Sequence, residues 1–339
     1  MRMDLKSFQA LMMPAIDAEI RTMVDSPRLT AYTGLRDILA YQLGWEGEGS
    51  GIEARGKRIR PLLVTLTAEA VGGDWQKALP AAAAVELLHN FSLIHDDIED
   101  ASLLRRGRPT MWAKWGNALA INAGDAMFAL AFEALHRLEQ TVSPGAAFKA
   151  GTILTDTCLQ LTGGQHLDII YEDADVLPLE SYWPMVTGKT AALLSACVQF
   201  GVICAGAGAP TLEILSRFGY SLGLGFQIQD DWLGIWGDES RTGKSNASDL
   251  TAGKKSLPIL YGQKLGGAFA HAWLNRTKGA IDTEHLTELL VEEGVREYTE
   301  TQAAQYTRDA MSALEQADLQ TDAGQALHEL AASLLYRRF

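Results

Sequence analysis

Two acidic runs stand out for the chemistry they could do: Asp96-Asp97-Ile98-Glu99-Asp100 and, far downstream, Asp230-Asp231-Trp232-Leu233-Gly234. Carboxylates four residues apart share a helix face, so Asp96 and Asp100 can converge on one cation. Apolar sequence precedes each run, Phe91-Ser92-Leu93-Ile94 before the first and Phe226-Gln227-Ile228 before the second. The acids therefore belong to packed structure and not to a solvated tail. Like charges in such a setting repel unless neutralised, and a hard divalent cation with oxygen ligands is the common answer. Two such sites facing each other would form a cage for an anion.

Cations follow each run. Leu104-Arg105-Arg106-Gly107-Arg108-Pro109-Thr110 sets three arginines close behind the first, and a planar guanidinium fork matches phosphate oxygens two at a time. Gly56-Lys57-Arg58-Ile59-Arg60-Pro61 places three cations beside a glycine at a helix start, where backbone amides add to the pull on an anion. Taken alone, that segment reads as an exposed basic turn. The second acidic run leads into Arg241-Thr242-Gly243-Lys244, then Asp249-Leu250 and Gly253-Lys254-Lys255-Ser256-Leu257-Pro258. Between the runs stand Gly164-Gln165-His166-Leu167-Asp168 and Lys189-Thr190; a lysine snorkelling from the mouth of an apolar helix is the plainer account of Lys189.

The elements that must position these groups are helical. Apolar residues recur at three- and four-residue spacing over Leu5–Met23, Leu29–Leu43, Pro61–Val71, Leu79–Ile98, Ala118–Leu138, Gly145–Leu167, Leu179–Cys204 and Leu212–Ile235. Ser26-Pro27, and Thr283 followed by Glu284, carry helix-start signals. No hairpin, alternating strand or fixed-period repeat stands out. The spacing predicts an all-α protein of about ten or more mostly antiparallel helices, one domain spanning residues 1–339. Three long loops interrupt it, Glu46–Arg58, Ser102–Trp115 and Gly237–Ser256, and the polar stretch beyond about Gly279 is expected to pack outside the core.

Composition narrows the function. With 47% apolar residues the chain has ample material for a core, and a net charge of −13 argues against nucleic acid or an anionic membrane as partner. Three cysteines without metal-ligand spacing, Cys158, Cys197 and Cys204, predict reduced core residues of a cytoplasmic protein. The apolar segment from Ala191 to Pro210 contains Ser195 and Gln199 and reads as a buried bundle helix, so no transmembrane segment is expected.

The ordered motifs GKRIRP, HNFSLIHDDIED, LRRGRPT, GGQ with a following D, KT, FQIQDD, GD, TGK, DL and GKKSLP, running from Gly56 to Pro258, resemble those of the trans-isoprenyl diphosphate synthases of the polyprenyl synthetase family. The resemblance implies an isoprenoid-synthase-type helical bundle around a deep central cavity, commonly a homodimer. It also implies Mg2+-dependent head-to-tail condensation of isopentenyl diphosphate with an allylic diphosphate, with three Mg2+ per active site. By matching position, Asp96, Asp100 and Asp230 would ligate Mg2+, with Asp97 and Asp231 in close support. Lys57, Arg60, His89 and Arg106 would hold isopentenyl diphosphate. Arg105, Lys189, Thr190, Gln227, Lys244 and Lys254 would surround the allylic diphosphate, and Asp96, Asp97, Asp100, Arg105, Lys189, Asp230 and Lys244 would carry the catalysis. In such enzymes the released diphosphate is the favoured base, so no side chain is assigned that role.

Two departures accompany the resemblance. Arg55 stands where the family often has a second glycine, and Gly234 replaces the last aspartate of the second acidic motif. Gly234 is expected to weaken outer support of the Mg2+ on Asp230, to put a flexible residue near the mouth of the site, and to leave product length untouched. Product length would be set below Asp96. Ser92 and Leu88 lie four and eight residues earlier on a similar face, and Phe91, about 7.5 Å down the axis, is the first bulky group a growing tail meets. An aromatic there resembles the pattern of geranylgeranyl (C20) synthases, with farnesyl or C25 and longer products as alternatives. A class I terpene cyclase would ionise one substrate and have no need of Lys57, Arg60, His89 and Arg106. A non-catalytic partner subunit would be expected to lose the aspartates.

Overall fold

The computed structural model describes residues 2–32, 34–172, 174–237, 247–276 and 282–336. Helices cover nearly all of it, and they form where apolar spacing demands them. The first, Leu5–Val24, buries Phe8, Met12, Ile16 and Ile20, an unbroken stripe at intervals of four. Asp4 opens it by accepting from the Ser7 amide at 2.9 Å. One start differs from expectation: Asp282, not Thr283, caps the helix Thr283–Glu292, its carboxylate accepting from His285 N.

Packing divides the chain into two compact units, Met1–Thr155 with Cys197–Leu212 and Leu319–Leu327, and Asp156–Ala196 with Glu213–Asp318 and His328–Phe339. In the first unit the helix Leu79–Glu99 is the centre, packed on Asn117–His136, Ile59–Ala70 and Leu5–Val24. Its Ala81–Ala84 stretch, Leu87 and Leu88 are fully buried; methyl side chains let neighbouring helices approach closely. The same unit contains a hairpin that sequence reading missed. Leu104–Arg105 pairs antiparallel with Arg108–Pro109, and the two residues between, Arg106 and Gly107, have φ of 52° and 73°. Positive φ at both central positions is the signature of the tight type I′ turn, a conformation glycine accepts readily and arginine does not.

The second unit has two apolar clusters. One joins Leu179, Tyr182, Met185, Val186, Leu224, Ile228, Leu257 and Leu260. The other joins Ile235, Leu250, Phe269, Trp273, Leu286, Leu290 and Val295. Residues beyond Gly279 thus help build the core instead of lying outside it: their polar faces lowered the average hydropathy, while one stripe is fully buried. The helical run 182–204 contains a π-helical turn, Thr187–Ala191, a local widening that recurs at functional sites. Gly164 and Gly188 let the helix Pro144–Glu172 press against this turn. A Cβ on Gly188 would come within 2.8 Å of Gly164 Cα and overlap Gln160 O.

Two helical stretches, Asn117–Gln140 and Leu179–Cys204, are long and apolar enough to cross a membrane by length and composition; the second is mostly buried, as a core helix is. The three cysteines are buried and unpaired.

The close approach at Gly188 gives a direct expectation. Gly188→Ala meets backbone, which cannot swing aside, and should cost about 1–3 kcal/mol. Thermal melting checks this, and a variant as stable as wild type would contradict the described packing.

Candidate active site

The first acidic run occupies the last turn of Leu79–Glu99, with Asp100 as C-cap. A helix C-terminus carries partial negative charge, so carboxylates there need cations. Arg105 supplies one. Its Nε donates to both oxygens of Asp97 at 2.8 and 2.9 Å, and Nη2 reaches Asp96 Oδ2 at 3.2 Å. Asp97 is buried, which lifts its carboxyl above the usual carboxylate range against the pull of Arg105. Asp97 is therefore a support that fixes Arg105, while Asp96 is half-buried and Asp100 exposed.

The hairpin turn sends its arginines to separate tasks. Arg106 Nη1 donates to Ala54 O at 3.0 Å, and its guanidinium fills the space where Gly56, at φ 69°, lacks a side chain. Arg108 is buried and donates to the carbonyls of Tyr41, Glu46 and Glu48 at 2.8–2.9 Å, lying over the Tyr41 ring. Of the three arginines behind the acids, Arg108 thus holds a loop together. Arg55, the first departure, turns to Asp17 at 3.4 Å, and buried Arg58 meets Asp17 at 3.1 Å. Lys57 is exposed beside them.

Arg60 Nη1 lies 3.2 Å from His89 Nε2. A guanidinium can only donate, so Nε2 accepts and the imidazole is neutral with its proton on Nδ1. Burial, then the charges of Arg60, Arg106 and Arg105, hold the His89 pKa well below its ordinary value. Burial also lowers the Arg106 pKa; Arg105, Arg58 and Arg60 add to this, and Glu86 opposes it. Glu86 is a buried carboxylate one turn before His89 and Asn90, accepting from Asn90 Nδ2 at 3.0 Å. Such a crowd of cations is a natural receptor for a multivalent anion.

The second acidic run ends the long helix Ala209–Trp236. Asp231 is buried and fully engaged: Oδ2 accepts from Tyr182 OH at 2.7 Å and Leu257 N at 3.0 Å, and Oδ1 from Gln227 Nε2 at 2.9 Å. Burial and the neighbouring charge of Asp249 push its carboxyl up to about 7. Thr190 OH donates to Gln227 Oε1 at 2.7 Å, and Lys189 Nζ to Asp168. These residues share one cavity wall with Asp230, Asp249, Lys254, Lys255 and Ser256. Lys244 lies outside the described residues. Sequence reasoning did not single out Asp249, Lys255, Tyr182 or Glu86. Asp249 and Lys255 stood within quoted motifs, but nothing in the letters distinguished a buried Lys255 from the exposed Lys254. Gly234 is also re-read: it is buried inside the helix, not a flexible residue at a mouth.

The donors suit Mg2+. Asp96, Asp100 and Asp230 offer hard carboxylate oxygens, the ligand type that Mg2+ combines with phosphate oxygens and water.

The chain is similar to known proteins in sequence and in fold. A family model described as polyprenyl synthetase matches residues 50–290. The chain is 37% identical over 335 residues to a (2E,6E)-farnesyl diphosphate synthase of Mycobacterium bovis, covering 95% of this chain and 90% of that protein. It is 37% identical over 267 residues to the geranylfarnesyl diphosphate synthase of Aeropyrum pernix, covering 78% and 84%. The crystal structure of geranylgeranyl pyrophosphate synthetase from Pyrococcus horikoshii matches with a TM-score of 0.87 at 31% identity, over 98% of each chain. The chain belongs to the polyprenyl synthetase family. It is accordingly an enzyme, a trans-prenyltransferase.

The neutral state of His89 has a measurable consequence. Below its ordinary pKa of about 6.5 the unfolded chain protonates this imidazole while the folded protein does not, so stability falls as pH falls. Urea unfolding at about pH 7.5 and about pH 5.5 should show wild type losing more stability than His89→Gln. Equal losses would contradict a neutral His89.

Proposed function

We propose that the enzyme condenses isopentenyl diphosphate head-to-tail with an allylic diphosphate (dimethylallyl, geranyl or farnesyl) to an all-trans prenyl diphosphate, releasing diphosphate. The product is geranylgeranyl diphosphate (C20). One observation carries this reading: each unit has its own cations beside its own carboxylates. Arg60 and Arg106 cluster around neutral His89 in one, and Lys189, Lys254 and Lys255 line the cavity of the other. Two diphosphate receptors suit a two-substrate condensation and are superfluous in a cyclase. Residues 1–339 act together as a single synthase.

Lys57, Arg60, His89 and Arg106 hold isopentenyl diphosphate, with neutral His89 accepting from Arg60 and so aiming its remaining N–H groups. Lys189, Thr190, Gln227 and Lys254, with Lys244, surround the allylic diphosphate. Asp96, Asp100 and Asp230 would hold up to three Mg2+, which when bound supply Lewis-acid stabilisation of the leaving diphosphate. Arg105, clamped on Asp97 and Asp96, fixes the carboxylates. The allylic C–O bond breaks with its electron pair leaving on diphosphate, and lysines stabilise that charge. The isopentenyl double bond then forms the new C–C bond, and the surplus proton leaves to diphosphate. Unpaired buried cysteines and the net charge of −13 support a cytoplasmic enzyme without nucleic-acid partners. Exposed Leu119, Ile121 and Phe148 in the first unit support a homodimer face.

Phe91 is the proposed floor for the tail. Its ring is half-buried, 4.7 Å from His95 and 4.9 Å from Phe128, which stands 5.2 Å from Phe132. Ser92 donates to His89 O, and Leu88 below is fully buried.

Incubation with isopentenyl and dimethylallyl diphosphates plus Mg2+, followed by dephosphorylation and sizing, tests the reading. A C20 alcohol is expected. Cyclic hydrocarbon from one added prenyl diphosphate would overturn it in favour of a cyclase, and no turnover would favour a partner subunit. Phe91→Ala should lengthen the product; unchanged length would remove Phe91 as the floor.

A further inference from the structure

The loop between the helices Ser248–Ala252 and Leu257–Leu265 forms part of the wall of the cavity that Lys189, Thr190, Gln227 and Asp230 also line. Two hydrogen bonds fix it. Lys254 N donates to Asp249 O at 3.0 Å, and Leu257 N donates to the Asp231 carboxylate at 3.0 Å. Leu257 and Leu260 are fully buried in the apolar cluster of Tyr182 and Ile228, which anchors the helix start. Ser256 stands at this start, and Leu260 N donates to its carbonyl at 3.0 Å. Its backbone is therefore held in place without any help from its side chain.

A serine just before the first turn of a helix ordinarily uses its hydroxyl oxygen to accept from an amide of that turn. Ser256 does not: its side chain caps nothing. The amides account for this. Leu257 N is taken by Asp231, and the next residue, Pro258, has no N–H. Ser256 is nevertheless only 5% exposed, and its Oγ is buried and without a hydrogen-bond partner among the described residues. A buried hydroxyl left unmatched costs free energy that alanine in its place would not. It donates to none of the carboxylates of the same wall. That wall also carries the ammonium groups of Lys189, Lys254 and Lys255, so the partner this hydroxyl suits is an anion.

We propose that Ser256 is a further substrate-binding residue, whose hydroxyl donates to an oxygen of the diphosphate group that enters this cavity. The inference rests on the prenyl-synthase reading above, and it assigns Ser256 to the allylic diphosphate because Lys189, Thr190 and Lys254 line the same wall. Lysine is a compact charge on a rotatable stem, which attracts phosphate without fixing its orientation. A hydroxyl on a residue fastened by its own backbone does the reverse: it adds little charge but one direction. Pro258 gains a task on this account. It removes an amide that would draw the hydroxyl into the helix, and so leaves that hydroxyl for the ligand.

Steady-state kinetics of the full-length enzyme with Mg2+ tests this. Ser256→Ala removes the hydroxyl alone. It should raise KM for dimethylallyl diphosphate by about 10-fold and leave KM for isopentenyl diphosphate within about 2-fold of wild type. Ser256→Thr keeps a hydroxyl and should recover most of the loss. Without ligand, Ser256→Ala should melt at or above the wild-type temperature, whereas truncating a capping serine would lower it. Calorimetric titration with inorganic pyrophosphate and Mg2+ repeats the comparison without turnover, and Ser256→Ala should bind pyrophosphate more weakly. An unchanged KM for dimethylallyl diphosphate, an equal rise for both substrates, or a lowered melting temperature with unchanged pyrophosphate affinity would overturn the proposal. If Ser256→Thr does not fold, Ser256→Ala decides alone. Wild type that binds pyrophosphate yet does not condense the two substrates would sink the functional reading, and the pyrophosphate comparison then decides for Ser256. Normal condensation with unchanged pyrophosphate binding in Ser256→Ala would sink only this inference.

Discussion

Carboxylates set into the wall of an apolar helical protein repel one another and lose hydration, and each can remain only where something compensates it. Most of the chemistry-bearing geometry around both acidic runs follows from that constraint. The leading aspartate of each run, Asp96 and Asp230, faces accessible space. The second, Asp97 or Asp231, is buried and taken up by protein donors. Asp97 is satisfied by a guanidinium and Asp231 by a tyrosine, an amide side chain and a backbone N–H. One aspartate of each pair is thus a buried anchor, while the other, Asp96 or Asp230, stays half-buried.

The same logic sorts the arginines. Arg105, Arg106 and Arg108 lie within four residues, yet one fixes carboxylates, one fills the hollow at Gly56, and one gathers backbone carbonyls. What separates them is the tight turn between the two short strands. Strand alternation and positive φ at 106 and 107 aim neighbouring side chains in different directions.

Much of this was legible in the letters, and the limits have physical causes. The apolar period gave the helices, because burial of one face is written directly into spacing: Phe8, Met12, Ile16 and Ile20 need no tertiary knowledge. The acidic runs and basic loops were equally plain. Contacts between distant segments were not. Gly234 looked like a flexible residue at a mouth because the side chain that crowds it, Asp249, lies fifteen positions on, in the helix Ser248–Ala252. Lys255 and Lys254 are adjacent identical letters with opposite burial, decided by which way a short loop turns. Arg108 looked like an anion ligand until its carbonyl partners were seen. The two-residue strands were invisible because so short a ladder carries no alternation to read.

The turn at Arg106 has a meaning beyond geometry. Five non-glycine residues among those described adopt left-handed φ: Arg58, Ala101, Arg106, Ala247 and Asp318. Arg58 adjoins Lys57, Ala101 follows Asp100, and Ala247 leads into the helix of Asp249. Each such residue forgoes about 1–2 kcal/mol that a glycine would keep. Local preference and global demand conflict at these points, and a chain selected for stability alone would have relaxed them. Three of the five, Arg58, Ala101 and Arg106, stand at or beside residues proposed to meet a metal or a diphosphate. The strain they carry lies in the φ angles, independently of any side chain.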